Sequence, residues 1–318
     1  MIRLCISIMA LLLAACSAPA DMRDSRFIMG TLVEFTVAGA DEAAATVAIT
    51  AAANEMQRIE NVFTIYGENE NSVKRFNRSQ VGASVHLPEE ISTLLATALT
   101  IKRESHGAFD PALGRLNRLW GFSLPDTPTA PPSRHAIEQA TPPATCIERR
   151  DSGWVRLHDT CMLDFGAIAK GYAIDRGIEI LRNHGIANAI INAGGDIRLI
   201  GSHGDQPWRI GIRHPRNRGE VIQSLELQGD VAVVTSGDYE RFYIFKDKRY
   251  HHILDPKSGW PATAVQSVTV ITSSAMLADA WSTALFILGH NGFAVINRLH
   301  LQALLIDSEG EVVNQISK

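Results

Sequence analysis

At 318 residues, 46% of them apolar and 20% charged, the chain has a globular composition and can bury a sizeable core, as one large domain or two small ones. Its formal charge of −4 argues against sequence-independent nucleic-acid binding, which needs a net positive face. Beyond the N-terminal segment no apolar run reaches the length of a membrane span.

The N-terminal segment reads as a processing signal. Met1-Ile2-Arg3 is a short basic start, and residues 4–15 are apolar but too short for a comfortable span. The run ends in Leu13-Ala14-Ala15-Cys16, which resembles a bacterial lipoprotein signal, cleaved just before a cysteine that then carries lipid. This implies a signal peptide over 1–15, a tether over 16–26 and one domain over 27–318. The mature protein would be lipid-anchored in the bacterial cell envelope and face the periplasm. An ordinary secretory signal with an incidental cysteine is the alternative. Cys5 lies in the signal, which leaves Cys146 and Cys161 in the domain. An oxidising compartment permits a disulfide between them, worth about 3 kcal/mol in the chain-entropy model. Two free, buried thiols are the alternative. No Cys-x-x-Cys is present, so neither a cysteine zinc site nor thioredoxin-like chemistry is expected.

Taken in order, residues 27–37 start with Phe27-Ile28-Met29-Gly30-Thr31 and continue as an alternating strand. The alanine-rich stretch 41–59 predicts a helix. Residues 63–79 read as a polar loop that contains Tyr66 and Asn77. A second helix opens at Leu87-Pro88-Glu89-Glu90 and stops near His106-Gly107. Residues 125–132 read as an exposed excursion, and 154–157 as a strand. From Asn188 onward the chain turns to strands with short connections, which suggests antiparallel pairing. Helices over 274–288 and near 293–299 and a strand over 303–306 close it. Strands clustered with packed helices predict an α+β fold.

The stretch Asp164-Phe165-Gly166-Ala167-Ile168-Ala169-Lys170-Gly171 reads as a strand end, a tight turn and a helix start, with helical apolar spacing from Ala173 to Arg182. A helix start offers unpaired N–H groups and a positive dipole end, both suited to phosphate, with Lys170 as a cation beside Asp164. Asp164 as a plain helix cap is the alternative. The stretch is neither a P-loop nor a Rossmann fingerprint. In Ala278-Asp279-Ala280-Trp281-Ser282-Thr283-Ala284, Asp279 and Thr283 share one helix face. A carboxylate and a hydroxyl are hard oxygen ligands of the kind magnesium accepts. The alternative is a solvated Asp279, with Thr283 bonded to its own backbone. In His251-His252-Ile253-Leu254-Asp255-Pro256, His252 has the chemistry of a general base, or is a half-exposed sheet residue. Thr235-Ser236-Gly237 reads as a small-residue loop.

Together with Met29-Gly30-Thr31, Gly107-Ala108-Phe109-Asp110-Pro111 and Asn192-Ala193-Gly194-Gly195-Asp196, these motifs resemble the FAD:protein FMN transferases, the ApbE family, over almost the whole mature chain. The resemblance implies a T-fold-related α+β architecture of antiparallel sheets packed with helices and no Rossmann domain. It implies magnesium held by Asp279, Thr283 and the Ala167 carbonyl, and FAD contacts from Met29, Tyr66, Ala108, Phe109, Asp110, Asp164, Lys170 and Leu254. His252 and Asp279 would be catalytic. FMN would pass from FAD to a threonine or serine hydroxyl of an acceptor protein, with release of AMP. A magnesium-dependent FAD pyrophosphatase and a non-catalytic FAD-binding lipoprotein are the alternatives.

Overall fold

The computed structural model describes residues 21–314 apart from 127 and 152. The signal peptide and the lipid site at Cys16 lie outside the described residues. In chain order the elements are β1 (Met22–Ile28), β2 (Thr31–Val37), α1 (Glu42–Phe63), α2 (Ser72–Arg78), β3 (Ser84–Val85), α3 (Glu89–Glu104), α4 (Gly114–Trp120) and α5 (Arg134–Ala140). Next come β4 (Ile147–Arg150), β5 (Gly153–Arg156), α6 (Ala169–Asn183), β6 (Ala189–Ala193), β7 (Asp196–Gly201), β8 (Trp208–Arg213), β9 (Val221–Leu227) and β10 (Gly229–Gly237). The chain closes with β11 (Phe242–Phe245), β12 (Lys248–His251), β13 (Val265–Thr272), α7 (Ala275–Leu288), α8 (Phe293–Leu299), β14 (Gln302–Asp307) and β15 (Val312–Asn314).

The frame is an eight-stranded sheet in the order β1-β2-β6-β7-β10-β13-β14-β15, with antiparallel neighbours throughout. One face packs against α1, α6 and α7 to form the main core. Strand alternation sets this up. Val33, Phe35 and Val37 of β2 are buried, whereas Leu32 and Glu34, which flank Val33, are exposed. On α1, Ala45, Ala48, Ile49, Ala52, Met56 and Ile59 recur at helical spacing and are buried, and Asp41 caps the helix by accepting the Ala44 N–H at 3.1 Å. On the other face the β8–β9 hairpin lays Trp208, Ile210 and Ile212 against Leu199, Val233 and Leu304. Strand β13, covered on both sides, is buried along all but its last residue.

A smaller cluster of α4, α5 and the β11–β12 hairpin closes one end of the molecule around Trp120. A three-stranded sheet, β3-β5-β4, flanks the main core. There Cys146 and Cys161 are joined by a disulfide, with their Cα atoms 5.4 Å apart. Among the described residues no helix is long and apolar enough to cross a membrane.

Several boundaries differ from the sequence reading. Residues 22–26, expected as tether, belong to β1, which pairs along its length with β2. The polar loop of 63–79 contains α2, capped by Asn71, whose side chain accepts the Lys74 N–H at 2.8 Å. Thr235-Ser236-Gly237 is the end of β10 rather than a loop. Helix α6, by contrast, starts at Ala169, inside the stretch read as a helix start.

Candidate active site

A cavity of about 710 Å³ opens where the sheet, α6, α7 and the Trp120 cluster meet. Its wall includes Met29, Tyr66, Ala108, Phe109, Asp110, Asp164, Ala167, Lys170, His252, Leu254, Asp279 and Thr283, so the structure brings every candidate flavin, metal and catalytic position into one site.

Local structure delivers each of these. Met29 and Gly30 form the β1–β2 turn, both with positive φ (56° and 70°), the two-residue primed turn that matches strand twist. Asp164 is fixed by its own loop. Its Oδ1 accepts the Gly166 N–H at 2.9 Å and its Oδ2 accepts from the Asn117 side chain at 2.8 Å. It therefore orders the turn and does not cap α6, whose cap position is Ile168, without a side-chain bond. Asp110 is equally committed. It pairs with Lys102 at 2.6 Å and accepts the Ala112 N–H at 2.9 Å, and burial raises its pKa despite the lysine.

Nor is the α6 N-terminus the open anion cradle that its sequence suggests. The Ala169 N–H is bonded to the Phe165 carbonyl at 2.7 Å, and the Gly171 N–H to Asp279 Oδ2 at 2.9 Å. Asp279 is only 5% exposed, more deeply buried than its sequence context suggests. Among the described residues its Oδ1 accepts no hydrogen bond. Burial pushes its pKa up, with the Asp196 carboxylate adding to the shift and Lys170 opposing it.

The Thr283 hydroxyl bonds to Ser236 Oγ at 3.2 Å rather than to its own helix, and Ser236 also meets Ser282 at 2.8 Å. Lys170 forms an ion pair with buried Asp196, whose other oxygen accepts the Thr235 N–H at 3.2 Å. Burial works against the Lys170 charge, but Asp196 and Asp279 hold its pKa above the ordinary value.

The two adjacent histidines have separate roles. His251 is buried. Its Nε2 bonds to the Ala262 carbonyl at 2.7 Å and its Nδ1 accepts the Ile253 N–H at 3.3 Å, so it is a neutral structural residue. His252 lines the cavity, and its Nδ1 is sealed from solvent with no hydrogen-bond partner among the described residues. Burial, helped by Arg241, His251 and Lys170, pushes its pKa down to about 3.

Sequence reasoning did not single out Asp196, Arg241 or Phe122 as site residues, yet all three line the cavity. Arg241 donates to Ser123 Oγ at 3.0 Å, tying β11's approach to the turn that follows α4. Phe122 stacks between Trp120 and Tyr243, with ring centroids 5.8 and 5.4 Å away. Asp196 ends a motif that the sequence marks without giving it a role, whereas no local pattern marks Arg241 or Phe122; each of the three meets a partner distant in sequence.

An antiparallel sheet carrying helices on one face, with one cavity holding a buried carboxylate, a lysine, clustered hydroxyls and a neutral histidine, defines an α+β enzyme site. The fold matches the crystal structure of the ApbE protein of Thermotoga maritima with a TM-score of 0.84 and 34% identity, covering 93% of this chain and 97% of that one. The ApbE family's sequence profile matches residues 29–305. Curated relatives include the FAD:protein FMN transferases of Rhodobacter capsulatus and Salmonella typhimurium. Each is 30% identical; the matches span 93% and 89% of this chain, and 57% and 83% of the relatives' own lengths. The chain belongs to the ApbE family of FAD:protein FMN transferases.

Proposed function

We propose that this chain transfers FMN from FAD to a threonine or serine hydroxyl of an acceptor protein, releases AMP, and requires magnesium to do so. The observation that carries this reading is the cavity's charge. Its wall holds six carboxylates (Glu60, Asp110, Asp164, Asp196, Glu240 and Asp279) against two cations, Lys170 and Arg241. Lys170 is itself paired with Asp196. Asp110 is paired with Lys102 and Glu240 with Arg213, which leaves Glu60, Asp164 and Asp279 in no ion pair among the described residues, and these would repel the FAD pyrophosphate unless a further cation accompanied it.

The residues fit that cation. Asp279 offers an Oδ1 that accepts no hydrogen bond among the described residues, on a carboxylate whose pKa is raised by burial. Among the described residues no group of three or more His, Cys, Asp or Glu side chains could hold a metal. The family resemblance gives the donors as Asp279, the Thr283 hydroxyl and the Ala167 carbonyl, three residues that line the cavity, a sparse hard-oxygen set that suits magnesium, which fills its shell with water and substrate phosphate. Bound there, magnesium supplies charge stabilisation to the phosphate oxygens.

The chain's own groups do the rest. The acceptor hydroxyl attacks the phosphorus on the riboflavin side; its oxygen forms the new ester bond, the pyrophosphate P–O bond breaks, and AMP leaves with that electron pair. His252 Nε2, the ring nitrogen left to the cavity, takes the hydroxyl proton. His252 is neutral when the site is empty, as a base must be, and an adjacent pyrophosphate raises its affinity for that proton. Lys170 offsets charge on the leaving phosphate. Met29, Tyr66, Ala108, Phe109 and Leu254 supply mostly apolar walls against which the flavin and adenine rings pack.

The Leu13-Ala14-Ala15-Cys16 signal supports a lipid anchor in the bacterial envelope facing the periplasm, and the Cys146–Cys161 disulfide fits an oxidising compartment. The test is to incubate the protein with FAD and magnesium, with and without a candidate acceptor. Flavin fluorescence on the denatured acceptor, appearing together with AMP, is the expected result. AMP formed equally without acceptor would identify a pyrophosphatase, and neither product a flavin-binding protein.

A further inference from the structure

Asp175, outside the cavity wall, is the most heavily bonded carboxylate near the site. It sits one turn beyond Gly171 on α6. Its Oδ2 accepts from Ser274 Oγ at 2.7 Å and from the Met276 N–H at 3.1 Å, and its Oδ1 accepts the Ala275 N–H at 2.7 Å. Arg198 of β7 adds a charged bond to Oδ1 at 2.7 Å and also grips Asp230 at the start of β10.

The bonds between the two helices are reciprocal. Gly171 and Asp175 are one turn apart on α6, and Ala275 and Asp279 are one turn apart on α7. Asp175 caps the first residues of α7, and Asp279 accepts the Gly171 N–H in the first turn of α6. Each helix thus satisfies orphan donors of the other. The backbones touch between these bonds: a Cβ on Gly171 would lie 2.2 Å from the Ala275 carbonyl oxygen.

We propose that Asp175 is a positioning residue for the metal-holding face of α7: by clamping the N-terminus of that helix to α6 and to Arg198, it fixes where Asp279 and Thr283 present their oxygens. The proposal rests on the magnesium site described above. Helix α7 does not need Asp175 in order to fold, because Ser274 caps it locally by accepting the Leu277 N–H at 3.3 Å. What Asp175 adds is registry between the helices, and a metal site whose ligand is mis-set by a fraction of an ångström loses affinity before it loses fold.

The probe is manganese, titrated against the purified protein without flavin and read by its electron paramagnetic resonance signal. Wild type, Asp175→Asn, Ser274→Ala and Asp279→Asn are compared, with near-ultraviolet circular dichroism reporting the fold. Asp175→Asn is expected to keep its dichroism and FAD affinity and to bind manganese about tenfold more weakly. The magnesium concentration for half-maximal transfer should rise in parallel while the KM for FAD stays put. Ser274→Ala, which removes one bond to Asp175 together with the local cap on the Leu277 N–H, should shift the same way, and with unchanged dichroism it carries the test if Asp175→Asn does not fold. Wild-type manganese affinity in both variants, alongside lost binding in Asp279→Asn, would overturn the positioning role and leave the metal site intact. Wild-type affinity in Asp279→Asn would overturn the metal site, and this proposal with it.

Discussion

The Gly171 N–H of α6 donates to Asp279 Oδ2 of α7 at 2.9 Å, across a helix contact so close that a methyl group at Gly171 would fall 2.8 Å from the Asp279 Cβ. The Asp164–Gly171 turn and the helix that carries Asp279 and Thr283 are therefore one mechanical unit. Gly171→Ala should force the helices apart, lowering stability by about 2 kcal/mol through overpacking. Urea unfolding checks the stability, and a transfer assay should show a loss larger than that of an alanine placed on the exposed face of α6.

Much of this unit is legible in the sequence, because it is local. The Asp164–Gly171 turn, the Asp279–Thr283 spacing and the long helices over 42–63 and 275–288 each declare themselves through neighbours a few residues away. The 72–78, 114–120 and 134–140 helices are seven residues each, two turns at most, too short for an apolar period to stand out from a loop. The partnerships that finish the site join residues far apart: Lys170 with Asp196, Asp175 with Ala275, and Ser123 with Arg241. Nothing in one sequence says that such pairs meet. The same limit made the α6 N-terminus look open, since the carboxylate that occupies the Gly171 N–H comes from 108 residues away.

The Cys146–Cys161 disulfide lies beside the site loop, three residues before Asp164, where both side chains of the bridge are fully buried. Breaking it should cost about 3 kcal/mol of unfolding free energy. Denaturant melts with and without a reductant, repeated on Cys146→Ala, measure this, and the variant should show no further response to reductant.

The two histidines give the protein a pH signature. His251 and His252 are both held neutral by burial, with His252 pushed down to about 3. The unfolded chain protonates each near the ordinary value of about 6.5, so it takes up protons that the native state refuses. The histidines' contribution to stability is thus fully present above about pH 6.5 and is lost as the pH drops below it. Thermal melts of wild type and His252→Gln from about pH 7.5 to about pH 5 should show a shallower decline in the variant. A protonated His252 in an imidazole-resolved NMR titration near neutral pH would contradict this assignment.

Anchoring is testable apart from chemistry. Cys16→Ser should release the protein from the membrane fraction of the cell that makes it, without changing transfer activity in the soluble extract. Unchanged membrane association would remove the lipid anchor from the account.

The central claim is that Asp279 holds the cation that lets an acidic cavity act on a pyrophosphate. Asp279→Asn keeps the shape of the side chain and one oxygen for the Gly171 N–H while removing the charge. The deciding measurement is covalent flavin on the acceptor, read by fluorescence after denaturing electrophoresis, across a magnesium series from limiting to saturating. The account predicts that Asp279→Asn binds FAD through its ring contacts, yet yields neither labelled acceptor nor AMP at limiting magnesium. Labelling at the wild-type rate under those conditions would contradict it.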